Sequence, residues 1–168
     1  MSASPASPSD TRPASHWPLI VCLGLVAALA PLSIDMYLPS FSAIAADLGA
    51  TAAQVQLTLS IYILGFTLGQ LAYGPLSDRY GRRPVLLSGV TLYVAMTVMC
   101  ALATDVESLS AYRFFQAVGG GAGTVLSRAI IRDRYDGAMM AKVMSLMLTI
   151  ILFAPMIAPV IGGYVLLW

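Results

Sequence analysis

The chain has 168 residues, of which 58% are hydrophobic and only 10% charged, well under the roughly 25% charge of soluble globular domains. The net charge of +1 offers no basic field to nucleic acid and no acidic field to a cationic partner, and no nucleic-acid partner is expected. The composition excludes an ordinary soluble domain and points to the lipid bilayer as the surroundings.

Residues 1–16, rich in Ser, Pro and Ala and without an apolar period, read as a disordered tail. His16, the single histidine, flanks the first apolar run beside Trp17 and reads as an interfacial residue. Five apolar segments follow, at about 17–38, 55–76, 85–103, 109–131 and 143–168. A spanning helix needs about 20 residues, and the segments lack the alternation of barrel strands. The expected fold is an all-α membrane protein, a polytopic bundle of five transmembrane helices. The first segment is read as a span, not a signal peptide. Ala28-Leu29-Ala30 has a cleavage-site look, but Pro31 follows at once and four more spans come after.

Positive charge is uneven between the connections. Arg79, Arg82 and Arg83 lie between the second and third segments, and Arg128, Arg132, Arg134 and Lys142 at or beyond the end of the fourth. The two other connections carry only Asp47, Asp105 and Glu107. Retention of Lys and Arg on the cytoplasmic side puts the N-terminus inside. Cys22 and Cys100 lie in apolar runs near opposite faces of the membrane under this orientation, so a disulfide is not expected. No metal motif and no nucleophile–base pair appears, so neither an enzyme nor a cofactor or metal site is expected.

The second-to-third connection reads Gly74-Pro75-Leu76-Ser77-Asp78-Arg79-Tyr80-Gly81-Arg82-Arg83-Pro84. A plain positive-inside hairpin explains the arginines but not two glycines seven residues apart around one aspartate. Gly74 is expected to allow a close helix approach and Gly81 a left-handed turn. Asp78, beside three arginines, is suited to hold a helix N-terminus.

Arg113 lies within the fourth segment. Such a charge costs about 2.5–3.5 kcal/mol at the bilayer centre on insertion scales. Either it snorkels to the near surface or it meets a partner inside. Asp35 lies 18 residues after Trp17, about 27 Å along a helix, and Arg113 about 6 Å below the outer end of its own segment. Both fall in the outer third of a core about 30 Å thick, deep enough to share a cavity and pair directly or through water. The pairs Gly65/Gly69 and Gly119/Gly123 have the GxxxG spacing of close helix contact. In the fifth segment Pro155, Pro159, Gly162 and Gly163 are expected to kink the helix and free carbonyls.

The 74–84 connection resembles the signature of the major facilitator superfamily: glycine, three residues, aspartate, two residues, glycine, then basic residues. The resemblance implies a twelve-helix transporter in two six-helix halves. It also implies that Gly74, Asp78, Arg79, Gly81, Arg82 and Arg83 latch the halves together in one conformational state. Asp133 is the expected acidic partner of Arg82. The Arg113–Gln116 segment resembles the helix-four motif associated with proton coupling, with Ala117 where many members carry glycine. The 154–163 stretch is similar to the helix-five motif of proton antiporters, with Ala154 and Ala158 in place of its two leading glycines. The 31–41 stretch resembles helix one of the bicyclomycin-resistance (Bcr/CflA) drug-efflux group.

Together these imply a proton-coupled antiporter of the bacterial inner membrane that exports drugs or other small molecules, N-terminus in the cytoplasm. Asp35 is the expected proton-titrating carboxylate, Arg113 its modulator, and Tyr37, Tyr112 and Gln116 candidate substrate-cavity residues. A metabolite or sugar carrier of the same superfamily is the alternative within transport. At 168 residues the chain is shorter than one six-helix half requires. A C-terminal part is therefore expected to be missing, whether the chain is a fragment of a longer transporter or a truncated, non-transporting membrane module.

Overall fold

The computed structural model describes residues 17–165. The expected tail at 1–16 and the last three residues of the fifth apolar segment lie outside the described residues. The elements in chain order are α1 (Trp17–Asp35), a 3-10 turn (Leu38–Ser40), α2 (Phe41–Asp47), α3 (Ala52–Tyr80), α4 (Arg82–Ala101), α5 (Val106–Arg134) and α6 (Gly137–Val165). Among the described residues there is no strand.

Local chemistry sets the ends. Thr51 starts α3 with a capping box: its side chain accepts from the Gln54 amide, and Gln54 accepts in return from the Thr51 amide at 2.8 Å, which satisfies two donors of the open first turn. Asp105 caps α5, accepting from the Ser108 amide at 2.8 Å. That backbone hydrogen bond, with others from Ser108, holds the Asp105 carboxyl below its ordinary range. The cap is therefore complete at neutral pH and is lost only as the pH falls through the lowered value. Gly81, at φ 91°, separates α3 from α4; an L side chain rarely adopts that conformation.

The helices pack as an up-and-down bundle around α5. Ser127 and Thr124 of α5 donate to the carbonyls of Leu23 (3.0 Å) and Ala27 (3.5 Å), so α1 and α5 run antiparallel. Gly89 faces Ala122 and Tyr93 faces Gly119, so α4 and α5 are antiparallel too. Gly65 meets Phe114 and Gly69 meets Val118, which makes α3 parallel to α5. Gly24 against Ile150 and Met36 against Gly162 make α1 parallel to α6. Small residues sit at each crossing. Without them the backbones would stay apart, because lipid supplies no hydrophobic drive between helices.

The bundle is largely apolar outside, and its apolar core holds a few buried polar side chains. Leu57, Leu64 and Leu71 of α3, Val94 and Val98 of α4, and Leu152, Met156 and Val160 of α6 are exposed. Thr58, Ser77, Arg113, Gln116, Thr124 and Ser127 are buried. Such an apolar exterior suits lipid and not water. Four stretches are long and apolar enough to cross a membrane: Trp17–Asp47, Ala52–Tyr80, Arg82–Ala101 and Gly137–Tyr164. The segment expected as the fourth of five spans, now α5, has the length at 29 residues but is not among them. Its residues from Gly119 to Thr124 are buried without a break. A helix shielded by α1, α3 and α4 meets little lipid and tolerates arginine, glutamine and glycine that an outer helix would not.

Candidate functional site

Two sets of polar residues stand out at opposite ends of the bundle. The first is centred on Arg113, only 4% exposed. Its guanidinium lies between two aromatic faces, 4.0 Å from the ring centre of Tyr37 and 4.4 Å from that of Tyr62. One terminal nitrogen, Nη1, donates to Gln116 Oε1 at 3.2 Å and to the Ser33 carbonyl at 3.5 Å. Gln116 in turn donates to Thr97 at 2.8 Å. The rings are themselves tied: Tyr37 shares a hydrogen bond of 2.7 Å with Thr58, and Tyr62 donates to the Ala30 carbonyl at 3.3 Å. Tyr93 bonds the Ser33 hydroxyl and the Leu29 carbonyl. A polar layer thus crosses α1, α3, α4 and α5 at one depth. In hydrocarbon such groups must satisfy one another.

A cavity of about 280 Å³ opens beside Arg113, lined by Tyr37, Ile44, Leu48, Cys100 and Leu109 among others. A second, of about 410 Å³, lies along α1 and α4 with Ser33, Met36, Tyr93 and Thr97 in its wall. Tyr37 borders both.

Asp35 and Arg113 do not form the direct ion pair considered from sequence. The ion pairs among the described residues are those of Arg82, and Asp35 is half-buried at the end of α1. Depth along a helix was legible in the sequence, but azimuth decides. Ser33 and Tyr37, four residues apart, meet Arg113 through a carbonyl and a ring, whereas Asp35 between them makes no ion pair with it. Tyr37 and Gln116 join the Arg113 set. Tyr112 is half-buried and borders neither cavity.

Sequence reasoning missed Tyr62, Thr58, Tyr93 and Thr97. A signal for the first two was present. Val55, Thr58, Tyr62, Gly65 and Gly69 recur at helical spacing and are the buried stripe of α3. Polar or small residues on one face of an otherwise apolar helix mark the face turned to its neighbours.

The second set lies at the other end. Arg82 bridges two carboxylates, Asp78 at 2.6 Å and Asp133 at 2.8 Å. It also donates to Ser77 Oγ at 2.5 Å. The structure thus brings the α3–α4 corner onto the end of α5. Arg79 stacks over Tyr80 at 5.4 Å, and Arg83 is exposed beside a groove shared with Arg82, Ile130, Asp133 and Arg134. Gly81 has the left-handed conformation anticipated for it. Gly74 corrects an expectation. Nothing lies within 4 Å of where its Cβ would be, so close packing inside this bundle is not its reason; it borders an open groove with Asp78, Arg82, Arg128 and Met144.

In α6 the helix is continuous from Gly137 to Val165 through Pro155 and Pro159. Gly162 presses on the Met36 carbonyl, 2.9 Å from where its Cβ would be, while Gly163 faces open space. No group of three or more metal-binding side chains occurs among the described residues.

Residues 23–168 match the profile of the Major Facilitator Superfamily. An uncharacterized MFS-type transporter, YdgK of Bacillus subtilis, is 48% identical over 89% of the chain. A bicyclomycin resistance protein homolog of Haemophilus influenzae is 40% identical over 87% of it. Multidrug resistance protein MdtL of Escherichia coli is 38% identical over 88%. The chain spans about 37–38% of the length of these relatives. With a profile covering most of its residues and an apolar-faced helical bundle to match, the chain belongs to the major facilitator superfamily, as a multi-pass membrane protein.

Proposed function

We propose that this chain works, within a protein of full family length, as part of a proton-coupled antiporter that exports drugs or other small molecules across the bacterial inner membrane. The observation that carries the reading is the buried, tyrosine-clamped Arg113 beside a cavity, with Asp35 two residues before Tyr37 and in no ion pair among the described residues. The drug-resistance names of two relatives support export. A carboxylate that exchanges protons must not be locked to a permanent cation. Asp35 meets that condition among the described residues, so its protonation and substrate binding can oppose each other. Arg113, Tyr37 and Asp47 supply the polar wall of the smaller cavity, and Tyr62 and Gln116 hold Arg113 from behind it. The arginine-rich end of the bundle belongs to the cytoplasmic face by charge retention.

The test is transport by the full-length protein in vesicles loaded with a fluorescent dye. An imposed pH gradient drives dye efflux if protons are exchanged for substrate. Efflux that ignores the gradient rules out the antiport reading and leaves a uniport carrier.

The Asp78–Arg82–Asp133 bridge is proposed as a state-dependent latch. All three side chains are at least a quarter exposed, and exposed pairs contribute about 0–1 kcal/mol. Its value therefore lies in positioning, not stability. Asp78→Asn is expected to shift stability by less than about 1 kcal/mol, leave substrate affinity in place and slow turnover. Unchanged transport rates in that variant would reduce the corner to a positive-inside hairpin.

A further inference from the structure

We infer that Ile44 of α2 is a size filter: with the Tyr37 ring it stands between the smaller cavity and the wider one along α1 and α4, and so fixes how large a molecule the smaller cavity can house. The assignment rests on the reading of the chain as part of a small-molecule exporter, and it names the residue that sets the size class of the substrate.

The two cavities, of about 280 Å³ and about 410 Å³, have Tyr37 and Ile44 in common and no other lining residue. Side chains that border both spaces form the wall between them. The two differ in how they are held. Tyr37 is pinned: its hydroxyl shares a hydrogen bond of 2.7 Å with Thr58, its ring lies 4.0 Å from the Arg113 guanidinium, and Phe41 packs edge to face with it at 5.1 Å. Ile44 has no polar group to anchor. It is half-buried on a seven-residue helix that packs on α3 and on the turn before it, so shape alone keeps it in place. The wall is a fixed ring and one replaceable aliphatic side chain, and the size of the joined space turns on position 44.

The volumes decide what that means. Pockets for drug-sized ligands measure about 300–1,000 Å³. The smaller cavity alone, at about 280 Å³, falls just under that range, and joined to its neighbour it lies well inside it. With isoleucine at 44 the space beside Arg113 suits compact molecules. With alanine the side chain is cut to a methyl group and the two spaces run together. Leu48 supplies the comparison. It is aliphatic and follows α2 directly, but it lines the smaller cavity and not the wider one, so shortening it makes room without joining the two.

The experiment uses Cys100, which lines the smaller cavity, as a chemical gauge. In the purified full-length protein, with every other cysteine replaced by serine, the thiol is alkylated by N-ethylmaleimide or by N-(1-pyrenyl)maleimide, which is also uncharged but far bulkier. Each rate is divided by that of the same reagent with free N-acetylcysteine. Ile44→Ala is expected to raise the ratio of bulky to small reagent about tenfold, the factor that relief of one overpacked contact gives. Ile44→Trp is expected to lower it, and Leu48→Ala to change it far less than Ile44→Ala does. A ratio unmoved by Ile44→Ala, a rise as large in Leu48→Ala, or a Cys100 that reacts with neither reagent in Ile44→Ala would each overturn the assignment. If the alanine variant does not fold, Ile44→Val decides: a smaller rise supports the filter and an unchanged ratio overturns it. The gauge needs neither a gradient nor a transported substrate. Its failure leaves proton-driven efflux untouched, and failure of efflux leaves the gauge standing.

Discussion

Gly119→Val is expected to leave little or no correctly folded protein. A Cβ at this position would lie 2.6 Å from the amide nitrogen of Tyr93 and 2.7 Å from the carbonyl oxygen of Gly89. Both are backbone atoms of α4, so no side-chain rotation relieves the clash and the whole helix must withdraw from α5. Overpacking a tight core typically costs about 1–3 kcal/mol and sometimes more, against total stabilities of about 5–15 kcal/mol. A valine adds three carbons where even one does not fit. Withdrawal of α4 would also pull Tyr93 from Ser33 and Thr97 from Gln116, breaking the polar layer around Arg113. Size-exclusion profile and thermal unfolding in detergent measure the outcome. Gly74→Ala is the control, because its Cβ meets only open space; it should fold as the parent does. A Gly119→Val protein with parental melting temperature would mean that α4 and α5 do not pack as described.

Asp35→Asn is expected to abolish efflux driven by a pH gradient while leaving the fold intact. Asparagine keeps the size and hydrogen-bonding capacity of the side chain but cannot take up and release a proton at neutral pH. Asp35 forms no ion pair among the described residues, so the substitution strands no buried cation that was compensated before. Downhill exchange of substrate should persist, since it needs no proton. Parallel measurements of gradient-driven efflux and of exchange separate the two effects. Parental, gradient-driven efflux in the variant would make the carboxylate structural and move coupling elsewhere in the full-length protein.

The helices were legible in the sequence because long apolar runs admit one spanning form. Their ends were not. The second segment, expected at 55–76, is a helix over Ala52–Tyr80. It starts earlier because Thr51 and Gln54 cap it, and it runs past Pro75 until Gly81 turns the chain. The fourth, expected at 109–131, extends over Val106–Arg134 because Asp105 caps one end. Charged residues read as loop in the sequence, whereas helices continue beyond the hydrocarbon as long as their caps are met. The first segment ended sooner than expected, at Asp35, with a 3-10 turn containing Pro39 after it.

The GxxxG pairs in α3 and α5 were readable as close contacts, and Gly65, Gly69, Gly119 and Gly123 each abut a neighbouring backbone. The depth of Arg113 was readable from residue counts. Its partners were not, because counts along an axis carry no rotation about it. The surroundings proved to be two tyrosines, an amide and a carbonyl. Ser33 lies on α1, Tyr37 just after it and Tyr62 on α3, and their meeting depends on helix crossings fixed by glycines elsewhere in the bundle.

If a proton and a substrate oppose each other at Asp35, substrate binding displaces the proton, and its release into solution can be followed. Purified full-length protein in weakly buffered detergent solution, near the pH at which transport is half-maximal, is mixed with a transported substrate while a pH indicator is followed. Substrate binding is expected to release protons from the parent protein, and Asp35→Asn is expected to bind the same substrate with no release and with an affinity independent of pH. Equal proton release by the two proteins, or none by either, would contradict this competition.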